Sequence, residues 1–141
     1  EATFTSAEQQ GYVLFQQKCA QCHTEPLFTD YSFRNNGLDG SFADAGRFLI
    51  TQQESDKGKF KVPSLRNVAL TYPYMHDGRY YTLNDVLNHY ATGVEHSSTL
   101  DPLLENGIPL PGNEKALLIA FLQTLSDYEL LNNSMLSEPK Q

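Results

Sequence analysis

The chain has 141 residues, 40% of them hydrophobic and 19% charged, the size and balance of one globular domain with a single core. Seventeen acidic against ten basic residues leave a formal charge of −7, which argues against nucleic acid or an anionic membrane as partner and favours a partner with a basic face. No apolar run reaches the roughly 18 residues of a membrane span, and no basic-apolar export leader opens the chain.

Taken in chain order, Thr5-Ser6-Ala7-Glu8 sets a hydroxyl three residues ahead of a glutamate, the capping-box pattern. The segment from there to about Cys19, with Tyr12 and Phe15 among its apolar residues, reads as the first helix. It ends on Cys19-Ala20-Gln21-Cys22-His23. Two thiols two residues apart can add across the two vinyl groups of one haem, and the adjoining histidine then lies under the iron as proximal ligand. One covalent haem c on Cys19 and Cys22, with His23 on the iron, is therefore expected. A zinc site would need four thiolate, imidazole or carboxylate ligands. Cys19 and Cys22 are the only cysteines, and no closely spaced histidine pair follows them. A redox dithiol would sit in a βαβ pattern, and none surrounds the motif. Haem is joined to such motifs outside the cytoplasm, so a chain without a leader is expected to be processed or truncated at its N-terminus.

From Thr24 to Gly58, Asn35-Asn36-Gly37, Asp39-Gly40 and Asp56-Lys57-Gly58 are turn signals, and no period is sustained. A loop that long is expected where it wraps a prosthetic group. A short helix is expected around Pro63 to Ala69, with proline near its first turn. Tyr72-Pro73 then forces an extended or turn conformation. Thr82-Leu83-Asn84-Asp85 reads as a helix start; Leu83, Val86, Leu87 and Tyr90 recur at helical spacing, and Gly93 suits the stop. Residues 101–112 are loop. Asn113 is expected to cap a final helix with Leu118, Phe121, Leu122 and Leu125 on one face. The tail beyond Asp127 reads as weakly ordered. The expected architecture is all-α, loop-rich and cytochrome c-like: a single haem domain over residues 1–141, with its core at about 6–127 and a tail at 128–141.

The ligand opposite His23 has several candidates: Met75, His76, His89, Tyr90, His96 and Met135. A general cytochrome c argument picks Met75, in a proline-containing loop, whose thioether would raise the potential. The same side chain would serve as a flexible filler against the porphyrin.

Longer stretches carry a resemblance. They are Pro26-Leu27-Phe28-Thr29-Asp30, Phe33-Arg34-Asn35-Asn36-Gly37, Asp44-Ala45-Gly46-Arg47, the run FKVPSLRNVALTYPYMHDG from Phe60 to Gly78, and TLNDVLNHY from Thr82 to Tyr90. Together they resemble the C-terminal haem domain of the bacterial dihaem cytochrome c peroxidases and the MauG-like enzymes, over residues 6–138. The resemblance implies that the distal ligand comes from the helix after the PYxHDG run, methionine in the peroxidases and tyrosine in the MauG-like enzymes. Tyr90 aligns with it, although a tyrosine there would also serve as a core aromatic. Met75 and an open sixth position stand as alternatives. The resemblance also implies that His76 lies near a haem edge and that Arg47 and Arg66 pair with propionates, as a planar guanidinium suits. It further implies that the carbonyls of Thr71 and Pro73 help hold a calcium ion between two domains. Each of the three side chains could instead be an ordinary loop residue or surface ion pair.

Family members carry two haems, whereas this chain has one CxxCH. The expected partners are an N-terminal haem domain or equivalent subunit bearing the peroxide-reactive haem, a small redox donor protein, and hydrogen peroxide for the parent enzyme. The expected location is the bacterial periplasm or another exported compartment. Peroxide chemistry needs a vacant iron position and a distal acid–base group, and no residue pattern marks out the latter. The expected role is electron transfer within a peroxidase-type oxidoreductase. The alternative is a stand-alone single-haem peroxidase or electron-carrier cytochrome c.

Overall fold

The computed structural model describes residues 3–137. Helix α1 (Ser6–Lys18) begins at the capping box: Thr5 Oγ1 accepts from the Glu8 amide at 3.3 Å, and the Glu8 carboxylate accepts from the Thr5 amide at 2.6 Å. Two amides that a helix start leaves unpaired are thereby satisfied. Helix α4 (Glu114–Gln123) packs across α1. At their crossing stands Gly11, where an added Cβ would overlap the Leu117 carbonyl, so the two backbones meet with no side chain between them. Phe15, Leu118 and Phe121 are fully buried there, and Leu87, Leu110 and Leu122 complete the core. The rings of Phe15, Tyr12 and Phe28 meet Phe121 or one another at 5.1–6.3 Å, tilted or edge-on, the arrangement that ring quadrupoles favour. Asn113 occupies the N-cap position of α4, but its side chain makes no cap bond.

The long segment after the CxxCH motif contains little regular structure. Strand β1 (Phe33–Arg34) pairs antiparallel with β2 (Phe60–Lys61), and α2 (Phe48–Thr51) is a single turn between them. The fold is thus helical and loop-rich with one two-stranded ribbon among the described residues. No described helix is long and apolar enough to cross a membrane.

The helix expected from Pro63 to Ala69 does not form. Pro63 to Leu65 is irregular, Asn67 takes a left-handed φ of 62°, and only a 3-10 turn follows at Val68–Leu70. The reason is tertiary: the Asn67 amide donates to the Leu125 carbonyl at 2.9 Å, and its side chain accepts from the Asp127 amide at 2.6 Å. These bonds tie the segment to the chain just after α4 and leave a local helix no use for the same groups.

Helix α3 (Leu83–Asn88) is capped by Thr82, whose hydroxyl accepts from the Asp85 amide at 3.1 Å. Where the sequence pattern predicts one helix to Gly93, the last turn widens into a π-helix over His89–Gly93. The Tyr90 carbonyl turns outward from that coil and accepts from the Ile108 amide at 2.7 Å. Gly107, at φ +63°, lets the 107–108 loop approach that closely. The tail is more regular than expected. Asp127 caps α5 (Tyr128–Leu131) by accepting from the Leu130 amide at 2.9 Å, and a 3-10 turn follows at Ser134–Leu136. Residues 138–141 of that tail lie outside the described residues.

Candidate functional site

Cys19 lies just beyond α1, and the turn after it is held by the Cys22 and His23 amides, which donate to the Cys19 carbonyl at 3.2 and 3.0 Å. Both cysteines are free thiols, half-buried. Burial pushes Cys19 up to about 12, with the charge of Cys22 adding and Lys18 opposing. Burial also raises Cys22, with Arg34 opposing and Asp101 and Asp30 adding. Both therefore stand as neutral thiols at neutral pH. Burial lowers the His23 pKa, against hydrogen bonding to the Phe28 and Pro63 carbonyls, so the ring is neutral. His23 Nδ1 lies 3.0 Å from the Phe28 carbonyl. A carbonyl only accepts, so Nδ1 carries the proton and Nε2 keeps its lone pair for a metal. The Phe28 carbonyl is aimed by a left-handed φ of 55° at that residue, and the Asp30 amide pins the following turn to the Cys22 carbonyl at 2.9 Å.

Tyr90, on the π-helical turn, shares this site. Burial pushes its phenol up, hydrogen bonding from the Asn36 side chain opposes, and charge on Cys22 and Cys19 would add. A π-turn re-aims the side chains it carries relative to an α-helix and is frequent at functional sites. Asn36 is the meeting point. Its Nδ2 donates to Met75 Sδ at 3.3 Å, and its carbonyl accepts from His89 Nε2 at 2.9 Å. The His89 ring is buried and stands edge-on to Tyr90 at 5.3 Å. Asn36 thus ties Met75 to the turn that carries Tyr90, while His89 is occupied in holding that turn.

The other predicted residues make no hydrogen bond to Asn36 among the described residues. His76 is exposed and stacks on Phe60 at 3.8 Å between centroids; it makes no hydrogen bond among the described residues. Arg47 sits 4.0 Å over the Phe33 ring and 3.3 Å from the Asp56 carboxylate. Arg66 is exposed and forms no ion pair among the described residues. Thr71 and Pro73 are exposed, and their carbonyls accept no hydrogen bond among the described residues. His96 is exposed and 3.6 Å from Glu105, and Met135 is exposed near the C-terminus.

Three residues that sequence reasoning left without a role also border the site. Arg34 donates to Asp30 at 2.7 Å, to Asp101 at 2.8 Å and to Ser32 Oγ at 2.8 Å. Their charges act on Cys22. Asp101 is buried and also accepts from the Leu103 amide at 2.9 Å. Nothing local in the sequence pairs position 34 with 101. Asn36 was visible only as part of a turn signal and of the Phe33–Gly37 run.

The donor set fits a haem: two thiols at attachment spacing, a neutral imidazole with Nε2 free, and oxygen and sulfur donors on Tyr90 and Met75. Apolar Phe28, Leu65, Val68, Ala91 and Ile108 pack partly buried against the core nearby. Among the described residues no three His, Cys, Asp or Glu side chains are grouped to hold a metal ion by themselves, which leaves a tetrahedral zinc site short of ligands.

No protein-family model matches the chain. It is 36% identical over 128 aligned positions to the methylamine utilization protein MauG of Methylorubrum extorquens, covering 89% of this chain and 36% of that protein. It is 32% identical over 155 positions to the cytochrome-c peroxidase IdrP2 of Denitromonas iodatirespirans, covering 89% and 41%. The chain spans less than half the length of these curated relatives. Among solved structures, a MauG-like protein associated with microbial copper homeostasis superposes with a TM-score of 0.87 at 36% identity, covering 98% of this chain and 52% of that one. The dihaem peroxidase BthA from Burkholderia thailandensis shares the fold, with a TM-score of 0.67 at 22% identity over 89% of this chain and 44% of that one.

Proposed function

The chain belongs to the MauG-like dihaem peroxidase family, and on that premise we propose that it is a haem c domain whose work is electron transfer. Cys19 and Cys22 would hold one haem through thioether bonds, and His23 and Tyr90 would supply the ligands to its iron. When bound, the haem supplies a one-electron ferric–ferrous couple. The Phe28 carbonyl keeps the His23 proton on Nδ1, so that Nε2 remains the donor atom. Tyr90 offers a hard oxygen that favours the ferric state and a low potential.

The reading rests on one observation above the others: Tyr90 shares its surroundings with both thiols of the attachment motif. A protein oxygen at the sixth position leaves no vacancy for peroxide. The domain then suits exchange of electrons with a peroxide-reactive haem on an N-terminal domain or equivalent subunit. Hydrogen peroxide is the substrate of the whole protein, and a small redox protein with a basic face is the donor. Attachment at a CxxCH motif puts the protein in the periplasm or another exported compartment. Arg66, exposed and without an acidic partner among the described residues, is the better placed of the two arginines for a propionate; Arg47 already holds Asp56. His76, stacked on Phe60, would stand near a haem edge. The unengaged carbonyls of Thr71 and Pro73 are the chain's contribution to a calcium ion shared with the second domain.

The test is stopped-flow mixing of the haem-loaded chain with hydrogen peroxide. Slow turnover is expected, because the lack of positioned acid–base help alone costs about 10²–10⁴-fold. Turnover comparable to that of a two-haem enzyme would make this haem the catalytic one and overturn the proposal.

A further inference from the structure

Asn36 is bonded to one of the two side chains that compete for the sixth position and to the turn that carries the other. Its Nδ2 donates to Met75 Sδ at 3.3 Å, and its carbonyl accepts from His89, next to Tyr90 on the π-turn, at 2.9 Å. We propose that Asn36 is the positioning residue that selects the distal ligand, engaging the Met75 thioether and so withholding it from the iron while its backbone holds the turn that carries Tyr90. The inference rests on the reading of Tyr90 as that ligand.

Asn36 is fixed well enough to do this. Its carbonyl takes the 2.9 Å bond from buried His89, so its backbone is tied to the π-turn that carries Tyr90. On its other side the Gly37 amide donates to Asn35 Oδ1 at 2.9 Å, and the Gly37 carbonyl accepts from the Glu95 amide at 2.8 Å. Asn35 is 2% exposed and donates to Ser97 and Thr99 at 2.9 and 3.0 Å. Met75 is held from its own side as well. It adopts φ 71° without glycine's freedom, a conformation that persists where its surroundings over-determine it.

The chemistry follows from the amide's inventory of two N–H donors and one acceptor oxygen. A thioether whose lone pair already takes an N–H is a weaker donor to iron. The Asn36 side chain therefore disfavours sulfur at that position.

The test uses the haem-loaded chain in its ferric form and reads the far-red sulfur-to-iron charge-transfer band. Wild type should lack the band. Asn36→Leu should show it, with the sulfur-ligated fraction rising about tenfold or more, the scale of one lost hydrogen bond. The double variant Asn36→Leu with Met75→Leu should lose the band again and return to the wild-type spectrum. Asn36→Asp, of the same size but without the N–H, should behave like Asn36→Leu and serves if the leucine variant fails to take up haem. A wild-type spectrum in both Asn36 variants would overturn the role of Asn36 while leaving Tyr90 as ligand. A sulfur band already present in wild type would overturn the Tyr90 reading itself, and with it the inference.

Discussion

His89 Nε2 and the Asn36 carbonyl, 53 residues apart in sequence, are joined by a 2.9 Å hydrogen bond. His89 begins the π-turn that carries Tyr90, and the Asn36 side chain donates to Met75. One bond thus couples the long loop after the CxxCH motif to the helix opposite it. A buried histidine that sequence reasoning could treat as a spare metal ligand serves instead to hold two parts of the site in register.

Replacing His89 with leucine should leave the Asn36 carbonyl unpaired near the core. The cost of such a loss is about 1–3 kcal/mol, and thermal or urea unfolding of the haem-loaded protein should show it. His89→Gln, which can restore a donor, should recover much of the difference. A leucine variant that unfolds like wild type would refute the supporting role.

Covalent attachment is checked by chemistry at Cys19 and Cys22. The denatured protein should keep its haem on a gel, and the pyridine haemochrome should report one haem c per chain. Haem that acid-acetone extracts, or zinc in place of iron, would contradict the assignment.

Tyr90→Phe should open the ferric iron to cyanide or azide, since it deletes only the oxygen and keeps the ring. Met75→Leu should leave the ligand set unchanged. Anion binding that is equally fast in wild type and Tyr90→Phe would exclude a tyrosine ligand.

Acid should unfold the protein through Asp30. Burial works against its ionisation, but hydrogen bonds from Ser32 and Arg34 outweigh that and hold its pKa at about 2. The unfolded chain, with a carboxyl near 3.9, therefore binds the proton more readily than the native one. Asp30's contribution is complete above the unfolded value and is lost as pH falls toward 2. Asp30→Asn should lower stability at pH 7 and flatten its decline between about pH 4 and pH 2, read from urea unfolding across that range. An unchanged slope would mean that the Asp30–Arg34 pair carries no such linkage.

Local chemistry was legible in the sequence. The capping box at Thr5 and Glu8, the Thr82 helix start and the stop at Gly93 depend on residues within a turn of one another, and each forms as read. The CxxCH spacing likewise announces its chemistry without any fold. The Pro63–Ala69 helix failed because Asn67 bonds to residues about 60 positions away, a demand that no local propensity registers. The same holds for the site's second half. That α3 ends in a π-turn, that Asn36 meets both His89 and Met75, and that Arg34 bridges Asp30 and Asp101 all depend on contacts between segments distant in the chain. Sequence alone could nominate ligands by residue type. Only packing could bring Met75 to the Asn36 amide beside the turn of Tyr90 and take His89 out of the contest, because its ring nitrogen is already committed to a backbone carbonyl in the protein interior.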